Sequence, residues 1–186
     1  MPFYKNANLI SSGGGSLTPG QIQAVDDYIN TDYIRAFNVG PQTITTAGEV
    51  IELGSVIEGN GITYDSVRES VTFSKKRVYE FSLLINAEAS GAFTLDVEIW
   101  AEFFNGTIWQ PFTSSGQRLS FFTFAADKKV EIQSVLTVDS GFELRFKART
   151  TNGTATLGGT PFDVDGTDVD VLASVLAVSS VGPELP

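Results

Sequence analysis

A sustained period-two pattern over residues 93–104 constrains the fold of this chain more than any other feature of the sequence. Side chains that alternate in this way line the two faces of a β-strand. One face carries Phe93, Leu95, Val97, Ile99, Ala101 and Phe103, and the other carries Thr94, Asp96, Glu98, Trp100, Glu102 and Phe104. The segment is therefore predicted to be a strand with one buried, apolar face.

Asn105-Gly106 follows this strand directly and is the dipeptide that best favours a two-residue type I′ hairpin turn. We predict a return strand over residues 107–112 that pairs with the first one. The two-residue turn sets the register of the pair, with Phe103 opposite Ile108 and Glu102 opposite Trp109.

The same alternation recurs along the rest of the chain and predicts an all-β fold. Tyr79, Phe81, Leu83 and Ile85 share one face of a strand, and residues 168–178 read as a strand that is apolar on both faces. Roughly eight to ten short strands, spaced by about 8–12 residues, are typical of an antiparallel β-sandwich. The predicted strands cover residues 43–46, 49–53, 62–67, 77–86, 93–104, 107–112, 128–138, 142–149 and 168–178.

The first forty residues have a different organisation. Residues 1–17 end in Ser and Gly and are predicted to be a flexible arm. Residues 18–40 are predicted to be a short helix and connector, and residues 41–186 the sandwich domain. The helix begins with a capping box, in which Thr18 is the N-cap, Pro19 is the first helical residue and Gln21 follows three positions after the cap. Its apolar stripe consists of Ile22, Val25, Ile29 and Tyr33, and Gly40-Pro41 is expected to end the segment.

Composition excludes several kinds of chemistry. The chain contains no histidine and no cysteine, so zinc sites built on those residues, Ser-His-Asp triads and disulfides are excluded. We expect no enzyme activity and no cofactor. The formal net charge of −10 also argues against nucleic acid or an anionic membrane as a partner. The first residues lack the apolar region of a signal peptide, and we expect synthesis in the cytoplasm and a final place in an assembly.

Three aromatic side chains on the outer face of the predicted hairpin pose a problem for a monomer. Trp100, Phe104 and Trp109 fall on the side opposite to the apolar face, and exposed aromatic patches usually mark interaction surfaces. Three interpretations are open: a loop or the N-terminal segment covers them, a second subunit binds them, or a sugar stacks on them. We expect a homotrimer whose interface contains Trp100, Phe104, Trp109, Leu172 and Leu176.

Three charged clusters have alternative interpretations. Asp163, Asp165, Asp168 and Asp170 surround a Gly turn and can offer oxygens to Ca²⁺, although an acidic turn that leads into the last strand is the favoured interpretation. Glu98 and Glu102 share a strand face, as a glycosidase pair or as ordinary solvated residues. Lys75-Lys76-Arg77 precedes a strand and is expected to protect a sheet edge.

Several motifs resemble jelly rolls of the tumour-necrosis-factor and complement-C1q type. Tyr79-Glu80-Phe81-Ser82 is similar to their Y-x-F-S strand, and Asn105-Gly106 is similar to their mid-domain turn. Residues 136–144 resemble their late L-x-x-G-D-x-V/L corner, except that Phe142 stands in place of Asp after Gly141. Members of that family are trimers, and similar jelly rolls occur in bacteriophage virions as capsid decoration proteins and fibre heads.

The resemblance implies a jelly-roll-like sandwich and a non-enzymatic, homotrimeric protein of the virion. Its expected partners are further copies of itself and the major capsid protein or another virion protein. As a decoration or cement protein it would bind the outer capsid surface and stabilise the shell. The alternative is a receptor-binding fibre or tail-tip head, which would bind a carbohydrate or another receptor. The residues expected to contact the capsid are Phe3, Tyr4, Leu9, Ile22, Val25 and Ile29.

Overall fold

The computed structural model describes residues 18–19, 31–89, 95–112, 116–121, 126–182 and 184–185. From residue 31 onward these residues form strands joined by turns, and none is helical. None of the described residues belongs to a helix long and apolar enough to cross a membrane. The strands are β1 Tyr33–Asn38, β2 Gln42–Ile44, β3 Glu49–Val50, β4 Ser55–Asn60, β5 Ile62–Asp65, β6 Ser70–Phe73, β7 Arg77–Ala89, β8 Leu95–Phe104, β9 Trp109–Pro111, β10 Gln117–Phe121, β11 Ala126–Val138, β12 Glu143–Thr150, β13 Ala155–Leu157, β14 Gly159–Val164, β15 Thr167–Val171 and β16 Ser174–Ser180.

The strands form two seven-stranded antiparallel sheets and one separate hairpin. The first sheet has the order β2-β13-β7-β16-β1-β4, and β11 pairs with β7. The second has the order β10-β8-β12-β6-β5, with β3 added beside β12 and β9 beside β8. β14 and β15 pair only with each other among the described strands. The architecture is a jelly-roll β-sandwich, as the sequence predicted.

The core lies between the two sheets and is built from the residues that alternate inward. All four residues predicted to share a face of β7 are buried, and Leu95, Val97, Ile99 and Ala101 of β8 are buried opposite them. The rings of Phe81 and Phe146 bridge the sheets with centroids 5.7 Å apart. Aromatic pairs of this kind add about 0.5–1.5 kcal/mol to the contribution from burial alone.

The prediction that the N-terminal helix continues through Tyr33 is wrong. Residues 33–38 form β1, which lies between β16 and β4 in the first sheet. Ile34, Ala36 and Asn38 point into the core, so period two prevails in this segment. Backbone pairing on both sides overrides a helical spacing that Tyr33 matched by coincidence. The sandwich therefore includes residues 31–40, while residues 20–30 of the predicted helix lie outside the described part of the chain.

The predicted single strand over residues 168–178 is in fact two strands in different sheets. β15 belongs to the separate hairpin, whereas β16 lies in the first sheet between β1 and β7. Leu176 has no exposed surface, because it points from β16 into the core, and its predicted place in a subunit interface is wrong. Leu172 is half-buried between the two strands.

The predicted hairpin exists, but its register differs by two residues. Phe104 lies opposite Trp109, and Glu102 lies opposite Pro111. The Asn105 side chain accounts for the longer loop, because its Oδ1 accepts hydrogen bonds from the backbone N–H groups of Thr107 and Ile108 at 3.0 and 2.9 Å. Asn is favoured in turns for this kind of local bond. A shift of two residues keeps every side chain on its predicted face.

Candidate interaction surfaces

The outer face of the second sheet carries the three predicted aromatic residues together. Trp100 and Phe104 project from β8, and Trp109 projects from β9 beside them. The rings of Phe104 and Trp109 are in contact, with centroids 5.3 Å apart. All three side chains are half-buried. The sequence therefore placed all three residues on the correct face, and their place in a subunit interface stays a prediction.

Arginine side chains cover the aromatic cluster. The guanidinium carbon of Arg145, on β12, lies 4.1 Å from the ring centroid of Trp109. Arg68, in the turn between β5 and β6, lies 4.4 Å from the Phe104 ring. Such cation–π contacts each contribute roughly 0.5–2 kcal/mol, depending on desolvation. The ring faces are thus already occupied within one subunit by side chains that the sequence reasoning did not connect with them.

Carboxylates hold these cations in place. Arg145 Nη2 lies 2.7 Å from Glu102 Oε2, and Arg149 Nε lies 2.7 Å from Glu98 Oε2. Each pair lies directly across the β8–β12 ladder. Trp100 Nε1 donates a hydrogen bond of 3.2 Å to Glu102 Oε1. The two glutamates considered as a glycosidase pair are therefore each engaged by an arginine, in an arrangement that stabilises the sheet.

The outer face of the first sheet has a different character. Three cross-strand rows run over β1, β16 and β7, and the row of Phe37, Val175 and Leu84 is apolar and half-buried. The next row has the small residues Ala177 and Ser82 beside Arg35. We call this surface the first-sheet face. It is defined by Tyr33, Arg35, Phe37, Glu80, Ser82, Leu84, Val175, Ala177 and Ser179.

The small residues leave an open groove on the first-sheet face, of about 240 Å³. Ser82 and Ala177 lie along it, and the longer side chains of Tyr33, Arg35 and Glu80 also line it. The sequence reasoning missed this surface because it assigned β1 to a connector. The alternation of Tyr33, Arg35 and Phe37 was the signal that could have revealed it.

A buried polar cluster around Asp32 fixes the start of β1. Asp32 Oδ2 accepts a hydrogen bond of 2.9 Å from the Tyr79 hydroxyl and lies 3.5 Å from Arg77 Nε. Lys75 Nζ lies 3.5 Å from Asp32 Oδ1. Burial, together with the Asp32 hydrogen bond, raises the pKa of Tyr79 well above its usual value. Asp32 and Arg77 are each only 1% exposed, which identifies the cluster as structural.

The same cluster corrects the interpretation of Lys75-Lys76-Arg77 as an edge guard. β7 is an interior strand, because β11 pairs with it on one side and β16 on the other. Arg77 is therefore buried, and it enters an ion pair instead of protecting an edge. The contact with Asp32 joins residues far apart in sequence, which a local pattern does not reveal.

The acidic segment forms the turn of the separate hairpin. Asp165 and Gly166 both have positive φ, of 52° and 83°, which is the backbone of a type I′ turn. Asp163 and Asp168 are paired in the ladder. The side chains of Asp163, Asp168 and Asp170 lie outside the described residues, so Ca²⁺ binding stays a prediction. Among the side chains that are described, no three acidic residues converge on a metal position.

The residues predicted to contact a capsid cannot be placed. Phe3, Tyr4, Leu9, Ile22, Val25 and Ile29 all lie outside the described part of the chain. Their role stays a prediction.

Comparison with solved structures relates the fold to tumour-necrosis-factor-like domains. The Eiger TNF from S. frugiperda superposes with a TM-score of 0.58 at 10% identity, covering 84% of this chain and 94% of that one. Murine APRIL gives a TM-score of 0.50 at 9% identity, covering 81% of this chain and 99% of the other. The globular domain of zebrafish complement 1qA gives 0.49 at 13% identity, with coverages of 83% and 99%.

No family model matches the sequence, and no curated protein matches it. The likeness to the Eiger and APRIL structures, at such low identity, concerns the fold alone. It agrees with the resemblance that the sequence motifs indicated.

Proposed function

We propose that the chain is a non-enzymatic structural protein that assembles as a homotrimer through the first-sheet face. In the same proposal, the trimer binds the outer surface of a bacteriophage capsid as a decoration or cement protein. The apolar row on the first-sheet face is the observation that carries the assembly. The trimeric state and the virion setting are suggested by the resemblance of the sequence motifs and by the fold.

The two outer faces differ in whether their side chains find partners within one subunit. On the second-sheet face, ion pairs join Arg68 to Glu143, Arg145 to Glu102, and Arg149 to Glu98. The first-sheet face carries the uncharged residues Phe37, Val175, Leu84, Ala177 and Ser82, and the charged Arg35 and Glu80 lie beside them. Burial of apolar surface stabilises an interface by roughly 25 cal/mol per Å² before the cost of association. The first-sheet face is therefore the better candidate for contact between copies.

The competing functions lose support from the same geometry. A sugar that stacks on Trp109 or Phe104 would have to displace the guanidinium groups of Arg145 or Arg68. A glycosidase would need Glu98 and Glu102 released from Arg149 and Arg145. Neither step is needed for a structural protein.

The proposed activity is stabilisation of the capsid by attachment to it. A trimer that binds only the assembled shell shifts the equilibrium toward that shell by mass action. At a free concentration one hundred times the dissociation constant, each site contributes about 2.7 kcal/mol. The N-terminal residues Phe3, Tyr4, Leu9, Ile22, Val25 and Ile29 are the proposed contacts with the shell.

Light scattering coupled to size exclusion tests the proposed interface. Leu84→Lys places a charge at the β7 end of the apolar row, and we expect it to convert the trimer to a monomer. Val67→Lys is the matched control, because Val67 is 91% exposed in a turn, and it should leave the trimer intact. If Trp109→Ala dissociates the trimer while Leu84→Lys does not, the interface lies on the second sheet instead.

The number of copies per particle tests the virion role. Quantitative mass spectrometry of purified virions of the phage that encodes the chain should find it in numbers comparable with the capsid protein. A few copies per particle would favour the fibre or tail-tip alternative. Absence from the particle would overturn the virion proposal while leaving the trimer untouched.

A further inference from the structure

The edge strand β11 is unusually long and has no described strand on its outer side. All thirteen of its residues pair with β7. The other sheet edges end in shorter strands, since β4 has six residues, β10 five and β5 four. An edge strand presents a row of backbone N–H and C=O groups that another strand can pair with. Long edges are usually blunted for this reason.

The C-terminal half of β11 lacks the features that normally prevent pairing. Residues 132–138 read Ile-Gln-Ser-Val-Leu-Thr-Val, without a charge, proline or glycine. Val135 is 60% exposed. The nearest charge on the strand, Glu131, is turned to its own subunit, where Ser82 and Gln133 donate hydrogen bonds of 2.6 and 2.8 Å and lower its pKa. Uncharged β-prone segments of about this length pair readily with copies of themselves.

We propose that β11 pairs antiparallel with β11 of a second copy, about a two-fold axis at Ser134. In this register Lys129 lies opposite Asp139 of the partner subunit, and the symmetry repeats that pair at the other end. Both residues are exposed: Lys129 lies within β11, and Asp139 follows its last residue and lies 3.9 Å from Lys76 of its own subunit. Ile132 lies opposite Leu136 of the partner subunit, so the core faces of both sandwiches stay on the same side of the joined sheet.

Neighbouring registers that keep the core faces aligned are less favourable. An axis at Val135 sets Glu131 opposite Asp139 of the partner subunit, which juxtaposes like charges. An axis at Gln133 sets Asp127 opposite that same aspartate. Like charges directly across a ladder are destabilising. Charge complementarity therefore selects Ser134 as the axis and a second copy as the occupant of the edge.

This pairing goes beyond the proposed function and does not depend on it. The strand edge and the first-sheet face are separate surfaces, so a trimer formed through the face keeps its β11 edges. Two trimers joined at this edge make a hexamer, and repeated joining links trimers into a lattice. A chain that does not form trimers would still form dimers through β11.

Charge reversal tests the register. Lys129→Asp and Asp139→Lys each place like charges opposite one another, and each should weaken the doubling step by roughly tenfold. The double variant exchanges the two charges and should restore wild-type affinity. Sedimentation velocity over a range of concentrations measures the doubling for all four proteins. Equal affinity in all four, or a double variant weaker than either single one, would overturn the proposed register.

Hydrogen exchange identifies the occupant of the edge. Within residues 132–138, the alternate backbone amides that point away from β7 should gain protection as the concentration rises through the doubling step. A wild-type chain that never doubles at millimolar concentration would overturn the pairing, whether it is a trimer or a monomer. Protection that is already complete before doubling would mean that another polypeptide segment covers the edge, and would overturn it as well.

Discussion

Gly61→Ala probes the buried cluster around Asp32 directly. Gly61 has a φ of +68°, and a methyl group there would lie 2.0 Å from Asp32 Oδ1. Contacts of a real Cβ stay beyond 3.0 Å, so the carboxylate would have to move by about 1 Å, the difference between the two distances. Asp32 is 1% exposed, so its carboxylate is shielded from solvent.

The expected loss of stability follows from what the carboxylate holds. The left-handed backbone costs an alanine about 1–2 kcal/mol. Weakening the hydrogen bond from Tyr79 to a charged acceptor costs about 1.5–3 kcal/mol more. We expect a total of about 3–5 kcal/mol, to which a disturbed ion pair with Arg77 adds. That is a large part of the roughly 5–15 kcal/mol that stabilises most domains.

Gly141→Ala is the matched control for this substitution. Gly141 has a φ of +81° but nothing within 4 Å of the position of its Cβ, so only the backbone cost applies. Chemical denaturation of both variants separates the cost of backbone strain from the cost of the collision with Asp32. A variant that fails to fold is scored as the one with the larger loss of stability. Equal losses in the two variants would refute the assigned role of Asp32.

Two further predictions concern the cation-covered face and the two tyrosines that donate hydrogen bonds to carboxylates. Arg145→Ala should lower the free energy of unfolding by about 2–3 kcal/mol, because it exposes the Trp109 ring and leaves the buried Glu102 unpaired. Arg149→Ala, at an exposed pair, should cost less than about 1 kcal/mol, and similar losses in both would contradict the account. Burial and carboxylate hydrogen bonds raise the pKa of Tyr64 and Tyr79, so both stay protonated in the fold while the unfolded chain ionises near pH 10. The stability they contribute is complete below about pH 10 and is lost as the pH rises further. Absorbance titration should detect no ionisation of either hydroxyl until the chain unfolds. Ionisation near pH 10 in the native state would contradict this.

The strands with strict alternation could be predicted from local sequence. The inward residues of β7 and β8 were identified correctly because period two is visible without knowing any strand partner. β1 could not be identified in this way. Its helical spacing from Ile29 to Tyr33 competed with its alternation, and the deciding contact is with β16 at the far end of the chain.

The candidate surfaces depend more strongly on long-range register. Trp100, Phe104 and Trp109 could be placed on one face because they belong to one hairpin. The cover provided by Arg145 could not, since it follows from the pairing of β8 with β12. Leu176 was assigned to an interface because β15 and β16 were read as one strand, and the change of sheet between them has no local signal.

Sedimentation equilibrium of the intact chain at micromolar concentration tests the central claim most directly. A homotrimer predicts a mass near three times 20.0 kDa, about 60 kDa, and pairing through β11 predicts that this mass doubles at higher concentration. A single species of 20.0 kDa at every concentration would contradict assembly through the first-sheet face.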